Sequence, residues 1–366
     1  MVNLLHISAN GFPPLGNDHS TKKIWLELAK GFDEYHILGR AQDNKFHYYN
    51  EGNIHLHLVP KLSKAPSFAI TSFYMIKIIK KYDINLVLSQ CPILGGFTAN
   101  IIKKVLNIPV FQEIHDTYYF ELFKSKKMKD KLLAKIAMFS IKNATKVRAL
   151  NQMMETMILE HYQKANTVVI ENRVDISRFK TNKKNNILHD PISITSIGTF
   201  VYRKGYHTAI NAIKSLSEKY NVSLTLIGGG KEKEMLGTLA EGYSNIKLYD
   251  RLPQEKLVEL LEGTDIYIQP SIREGMPRTI LEAMAMKLPV ITTNVSTIPG
   301  TIINGVNGLV VEPEDEVQLE NAIIKLIKDD NLRKEIVNNA HANVVNRFEW
   351  NSAFDLYRNE LLKTLK

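Results

Sequence analysis

Two carboxylates eight residues apart, Glu274 and Glu282, are the first candidates for chemistry in this sequence. Glu274 follows a short apolar strand, Ile266 to Ile268, and a polar turn, Pro270-Ser271-Ile272-Arg273. Glu282 falls inside a run that reads as a buried helix, Arg278 to Met286, opened by Met276-Pro277. A carboxylate in an apolar stretch is costly unless it is hydrogen-bonded. A ligand with paired hydroxyls, such as a ribose, would satisfy Glu282. The plainer reading has Glu282 facing solvent on an amphipathic helix and Glu274 as a loop charge. Pro277 suits a first helical position, where its missing N–H would have had no partner. The amides from Gly275 through Met276, Pro277's successor Arg278 and Thr279 then face the end of the strand. Orphan donors and the positive end of the helix dipole coincide there, which suits a phosphate.

Further candidates follow other strands. Arg203-Lys204-Gly205 comes after the strand Ile192 to Gly198, where a basic pair can hold an anion; on an ordinary loop such a pair is solvated. Gly228-Gly229-Gly230 ends the strand Ser223 to Ile227 and also reads as a plain turn. Gly11 to Gly16-Asn17 follows the first strand, Asn3 to Ser8, at the carboxyl end where open parallel sheets gather ligands, although a structural turn explains two glycines equally. His115-Asp116 ends the strand Val110 to Ile114. His55 and His57 share a strand face, but no third ligand accompanies them, so a metal is not expected.

Strands and helices alternate along the chain, giving an α/β class with two Rossmann-like domains. The N-terminal domain spans 1–178 and the C-terminal domain 188–348, after a polar linker at Lys180 to Asp190, and a last helix follows over 349–366. The 366 residues are enough for two full cores. The single cysteine, Cys91, excludes an intrachain disulfide and a cysteine metal cage, and fits a reducing cytosol. The start of the chain runs directly into a strand, so no leader peptide is expected. The longest apolar stretch, Phe68 to Ile79, is interrupted by Lys77 and is too short to span a bilayer. Charge is uneven: residues 1–180 hold 25 Lys and Arg against 15 Asp and Glu, and 181–366 hold 22 against 23. The formal net charge of +9 therefore comes from the first half, which suits an anionic surface, an acidic substrate or simple solubility. No nucleic-acid motif accompanies it.

Taken in order, Pro270-Ser271, Glu274-Gly275, Glu282-Ala283-Met284-Ala285, Pro289-Val290-Ile291 and Asn304-Gly305-Val306-Asn307-Gly308 resemble the donor-binding core of group 1 glycosyltransferases, retaining enzymes of GT-B fold. The resemblance implies two domains facing an interdomain cleft, with the C-terminal helix crossing back to the first domain. It implies transfer from a nucleotide-diphosphate sugar to a saccharide or lipid-linked acceptor in surface polysaccharide or glycolipid assembly, without a cofactor or metal. Catalysis falls to Glu274, His115 and Lys204. Donor binding falls to Gly16, Arg203, Lys204, Glu274, Gly275, Met276, Pro277, Arg278, Thr279 and Glu282. Departures are Asn17, Arg173, Asp250 and Lys287 where the family often has Gly, Thr199 in place of Arg, and Gly300 in place of Glu. The alternatives are a nucleotide-sugar epimerase of the same fold and a non-catalytic partner subunit.

Tyr118 to Lys146 reads as a lysine-rich amphipathic helix, with Lys124, Lys126, Lys127 and Lys131 among apolar Leu122, Phe123, Met128, Leu132, Leu133, Ile136 and Phe139. Such a helix lies on anionic lipid, each lysine contributing about 1 kcal/mol, or buries its stripe in its own domain. With the family resemblance, the first alternative implies a cytoplasmic protein in peripheral contact with the inner face of a membrane.

Overall fold

The computed structural model describes residues 1–16, 20–62, 67–181 and 187–365. Asn17 and part of the expected linker lie outside the described residues. The chain divides into two compact units: unit 1 is Met1–Glu171 with Ala353–Lys366, and unit 2 is Asn172–Ser352.

Unit 1 is built on β1 (Asn3–Gly11), β2 (Glu34–Arg40), β3 (His47–Glu51), β4 (Ile54–Val59), β5 (Leu86–Ser89), β6 (Val110–Glu113), β7 (Lys146–Ala149) and β8 (Thr167–Val169). Their order in the sheet is β3-β4-β2-β1-β5-β6-β7-β8. All neighbours pair in parallel except β3, an antiparallel edge strand on β4 that sequence reasoning did not anticipate. Unit 2 has β9 (Ile192–Ile197), β10 (Val222–Ile227), β11 (Ile246–Tyr249), β12 (Ile266–Gln269), β13 (Val290–Thr293) and β14 (Leu309–Val311) in the order β11-β10-β9-β12-β13-β14, all parallel. The apolar, β-branched runs of β5, β12 and β13 are buried throughout, as strands covered on both faces must be. In unit 2 the order reverses between β9 and β12, so the loops leaving these two strands open side by side.

The last helix, Trp350–Lys363, buries Phe354, Tyr357 and Leu361 in unit 1. Lys146 Nζ lies 2.9 Å from Glu360 and Arg358 donates to the Glu27 carbonyl at 2.7 Å, which fix the helix there.

The lysine-rich segment is not one helix. A turn at Tyr118–Glu121 and a 3₁₀ turn at Leu122–Lys124 end at an extended Ser125, and a new helix runs over Met128–Asn143. Ser125 is the cause. Its hydroxyl donates to Asp130 at 2.6 Å and accepts from the Lys127 amide at 3.2 Å, so its side chain competes for backbone groups that a continuous helix would use. The second helix buries Ala134, Ala137, Met138 and Ile141, leaving Met128 and Leu132 of the expected stripe exposed. Among the described residues, no helix is long and apolar enough to cross a membrane.

Candidate active site

The loop after β9 forms a 3₁₀ turn at Tyr202–Lys204 and ends on Gly205 at φ +64°. A Cβ on Gly205 would sit 1.9 Å from the Pro270 carbonyl oxygen, so only glycine lets this loop lie against the one after β12. The Ile272 amide donates to the Arg203 carbonyl at 2.8 Å and locks the two loops together. Gly228 makes a similar close approach, with an added Cβ 1.8 Å from the Gly198 carbonyl oxygen. The glycines after β10 therefore let backbones pack.

This docking brings Lys204 onto Glu274. The Glu274 carboxylate is buried and pairs directly with the Lys204 ammonium, with the Arg203 guanidinium 3.8 Å away. Ser271 Oγ donates to Glu274 at 2.8 Å and Gln269 Nε2 approaches it at 3.3 Å. Gln269, at the end of β12, holds the network from below: its Oε1 accepts from Tyr267 at 2.9 Å and from Thr279 at 3.2 Å. Glu274 is thus clamped by four groups within the same unit. A buried carboxylate tolerates that position only when paired and hydrogen-bonded in this way.

The helix after the loop runs Arg278–Ala285. Pro277 is its cap, with ψ 124°, and not its first helical residue as the sequence suggests; no side chain caps the first turn. Gly275, Met276 and Pro277 are buried, Thr279 is half-buried and Arg278 is exposed. The loop is held through its carbonyls: Gly275 accepts from Thr297 Oγ1 at 2.7 Å and Met276 from Asn172 Nδ2 at 2.6 Å. Neither donor has a sequence signal of its own. Asn172 lies a hundred residues upstream in the Asn172-Arg173-Val174-Asp175 segment, and Arg173 there adopts no positive φ. Lys287 does, at φ 54°, where the family often has glycine.

Glu282 differs from Glu274. It is half-buried, and no hydrogen bond to its carboxylate is found among the described residues. Burial pushes its pKa up, against the opposing charges of Arg278 and Arg178. Its hydrogen-bonding capacity is open to a ligand.

His115, just past β6 in unit 1, is described by itself. Its Nε2 lies 3.0 Å from the buried Glu113, which also pairs with the Arg148 guanidinium and accepts from the Tyr357 hydroxyl. Burial works to raise the Glu113 carboxyl, but His115, Arg148 and the hydrogen bonds from His115 and Tyr357 hold it well below the usual carboxylate range. Gly16 is exposed, and a Cβ there would meet nothing within 4 Å, so the turn does not require glycine. Lys124, Lys126, Lys127 and Lys131 are exposed in unit 1.

A parallel sheet with anion-holding groups and a carboxylate at its switch point defines the class: an α/β protein of GT-B fold. Sucrose-phosphate synthase from Thermosynechococcus elongatus superposes with a TM-score of 0.85 at 18% identity, over 100% of this chain and 99% of the other. Anabaena Alr3699/HepE in complex with UDP-glucose superposes at 0.79, also at 18% identity, over 100% of both chains. Identities this low establish the fold alone. The family comes from sequence. Residues 177–343 match the model for glycosyl transferases group 1, and residues 25–178 match glycosyltransferase family 4. The capsular polysaccharide biosynthesis glycosyltransferase CapM of Staphylococcus aureus is 26% identical over 310 residues, covering 78% of each chain. The chain belongs to the group 1 glycosyltransferases.

Proposed function

We propose that this glycosyltransferase moves a sugar, with retention at the anomeric carbon, from a nucleotide-diphosphate sugar to a saccharide or lipid-linked saccharide acceptor in surface polysaccharide or glycolipid assembly. The observation that carries the reading is the contrast at one switch point: Glu274 is clamped by Lys204, Ser271 and Gln269, while Glu282 has no hydrogen bond among the described residues. A clamped carboxylate suits a group fixed toward sugar hydroxyls and a developing positive centre. An open one suits ribose hydroxyls.

The reaction develops charge at two places, the anomeric carbon and the departing diphosphate. Lys204 and Arg203, with the uncapped amides at the start of Arg278–Ala285, are assigned to the diphosphate. Preorganised donors in a dry site contribute about 3–4 kcal/mol each to the barrier. They take the place of a divalent cation, so no metal is assigned to the donor. His115 is assigned to the donor sugar, with Nε2 tethered to Glu113 and Nδ1 available. Relatives support the substrate class: Alr3699/HepE was solved with UDP-glucose and CapM acts in capsule biosynthesis. The exposed Met128 and Leu132 among Lys124, Lys126, Lys127 and Lys131 are assigned to an anionic membrane or acceptor surface.

The test is a panel of nucleotide sugars screened by thermal shift, since a binder raises Tm by mass action. Hits are then assayed for transfer to acceptors, with the product anomer read by NMR. Retained configuration and turnover independent of added magnesium or manganese are expected. An inverted product, donor consumption without acceptor, or strict dependence on those ions would overturn the reading.

A further inference from the structure

At the amino end of the unit 1 sheet, the opposite end from His115, β2 and β4 place four chemistry-bearing residues on one face. Parallel pairing sets His36 beside His55 and Leu38 beside His57. Strand alternation adds Glu34, two residues before His36. His36 is fully buried and His57 nearly so, while the Glu34 side chain is 42% exposed. One ligand-type atom from each of Glu34, His36 and His55 lies within 4.8 Å of the other two.

The hydrogen bonds sort the imidazole nitrogens into two kinds. His55 Nδ1 lies 2.8 Å from the Tyr48 hydroxyl, and its Nε2 meets the Glu34 carboxylate. His36 Nδ1 lies 3.1 Å from His57 Nε2, and His36 Nε2 is buried with no partner among the described residues. The rings of His36 and His55 stack at 4.4 Å. Each ring is thus anchored through Nδ1, leaving Nε2 on a carboxylate in one case and unpaired in the other. A buried polar atom without a partner costs about 1–3 kcal/mol. Native proteins relieve that cost with a neighbouring polar group, an ordered water or an ion.

We propose that Glu34, His36 and His55 bind a divalent transition metal, zinc first among them, through one carboxylate oxygen and the two Nε2 atoms. Two imidazoles and a carboxylate are a zinc donor set, with bonds of about 2.0–2.2 Å. Ligands so bonded sit closer together than 4.8 Å, and the stacked rings hold their Nε2 lone pairs nearly parallel, so binding turns the partly exposed Glu34 and swings the His55 ring out of the stack until both nitrogens converge on the ion. Ligating histidines characteristically donate their other N–H to a fixed acceptor. Tyr48 and His57 stand in those places. Lys77 and Lys81 line a neighbouring cavity of about 220 Å³ with Tyr48 and His57. Their positive charge makes the Glu34 carboxylate the ligand that lets a cation enter. The ion pins β2 to β4 at the end of the sheet away from His115, so it serves stability and takes no part in transfer. The proposal rests on unit 1 geometry alone and stands whatever the donor site binds.

The test uses the full chain, stripped with chelator and titrated with Zn²⁺ alone and with Co²⁺ alone. One ion per chain, a rise in Tm with zinc and visible cobalt absorption bands are expected. Glu34→Gln and His55→Gln should each weaken binding by more than tenfold, and Tyr48→Phe by about tenfold through the outer partner. Should His36→Gln fail to fold, Glu34→Gln, at a partly exposed position, decides the question. Absence of stoichiometric binding overturns the proposal. So does binding that persists unchanged in the Glu34→Gln/His55→Gln double variant, which would assign the ion to other histidines.

Discussion

The two units assemble their charged groups differently. In unit 2, Arg203, Lys204, Glu274 and Glu282 come from two loops and one helix that leave neighbouring strands. In unit 1, Glu113, His115, Arg148 and Tyr357 come from three separated segments, with Glu113 and Tyr357 244 residues apart. In unit 2, Lys204, Ser271 and Gln269 hold Glu274, and Glu282 has no hydrogen bond among the described residues. The unit 1 groups mostly hold one another: the guanidinium of Arg148 lies 4.7 Å from the Tyr357 ring, donates to the carbonyls of Ile170 and Glu171, and neutralises Glu113. One region pairs groups from neighbouring loops, and the other uses its charges to fix a single histidine and the last helix.

The sharpest break in this comparison is Arg148→Ala. It leaves Glu113 buried without its main countercharge, and breaking a buried pair typically costs about 3–5 kcal/mol. Chemical denaturation should show a loss of that order, together with release of the Trp350–Lys363 helix seen as earlier proteolysis near Tyr357. Stability within 1 kcal/mol of wild type, by that about-threefold margin, would mean that unit 1 is not organised around this carboxylate.

Lys204→Ala should act on rate instead. We expect turnover to fall by about 10²–10³, or 3–4 kcal/mol, because the lost donor is worth most on the departing diphosphate. Arg203, 3.8 Å from Glu274, remains to limit the structural damage. Unchanged transfer and donor hydrolysis would remove Lys204 from the chemistry and leave it as a counterion for Glu274.

The contrast also explains what the sequence could reveal. The loop and helix of Pro270 to Ala285 were legible because they are contiguous, so spacing sets the order of Glu274, the helix start and Glu282 along the chain. The pairing of Lys204 with Glu274 was not, since it spans seventy residues and depends on Gly205 meeting Pro270. Asn172 and Thr297 escaped because they work through carbonyls, which carry no side-chain signal. The reading of His55 and His57 did not see Glu34 and His36, because strand pairing brings these two in from β2. The lysine-rich stretch misled because apolar spacing continues through Ser125 while its hydroxyl starts a new helix.

Glu282→Ala separates a ligand group from a structural one within unit 2. Hydrogen bonds to a charged group contribute about 1.5–3 kcal/mol, so nucleotide affinity should fall by roughly tenfold to a hundredfold. Tm of the ligand-free protein should hold or rise, because the half-buried carboxylate has no hydrogen bond to lose among the described residues and its burial disfavours the charged form. A fall in Tm with affinity intact would assign Glu282 to the fold and leave the ribose without its acceptor.

The smallest expected effect is a pH dependence seated in unit 1. His6 on β1 is buried, with Nδ1 2.5 Å from the Tyr35 hydroxyl. Burial lowers its pKa from 6.5 to about 4; Glu113 and a hydrogen bond accepted by the Gln90 side chain pull it upward, and His115 pushes it further down. Between those values the unfolded chain binds a proton that the folded chain refuses. Stability is therefore fully present above pH 6.5 and is lost as pH falls toward 4, with a limiting slope of about 1.4 kcal/mol per pH unit. From pH 7 to pH 5 this amounts to about 2 kcal/mol for His6 alone. In His6→Leu/Tyr35→Phe, which removes the titrating ring and its partner together, the loss between those two pH values should shrink by about that amount. Parallel curves for variant and wild type would mean that His6 is protonated alike in both states, and would detach the pH response from the network that holds His115.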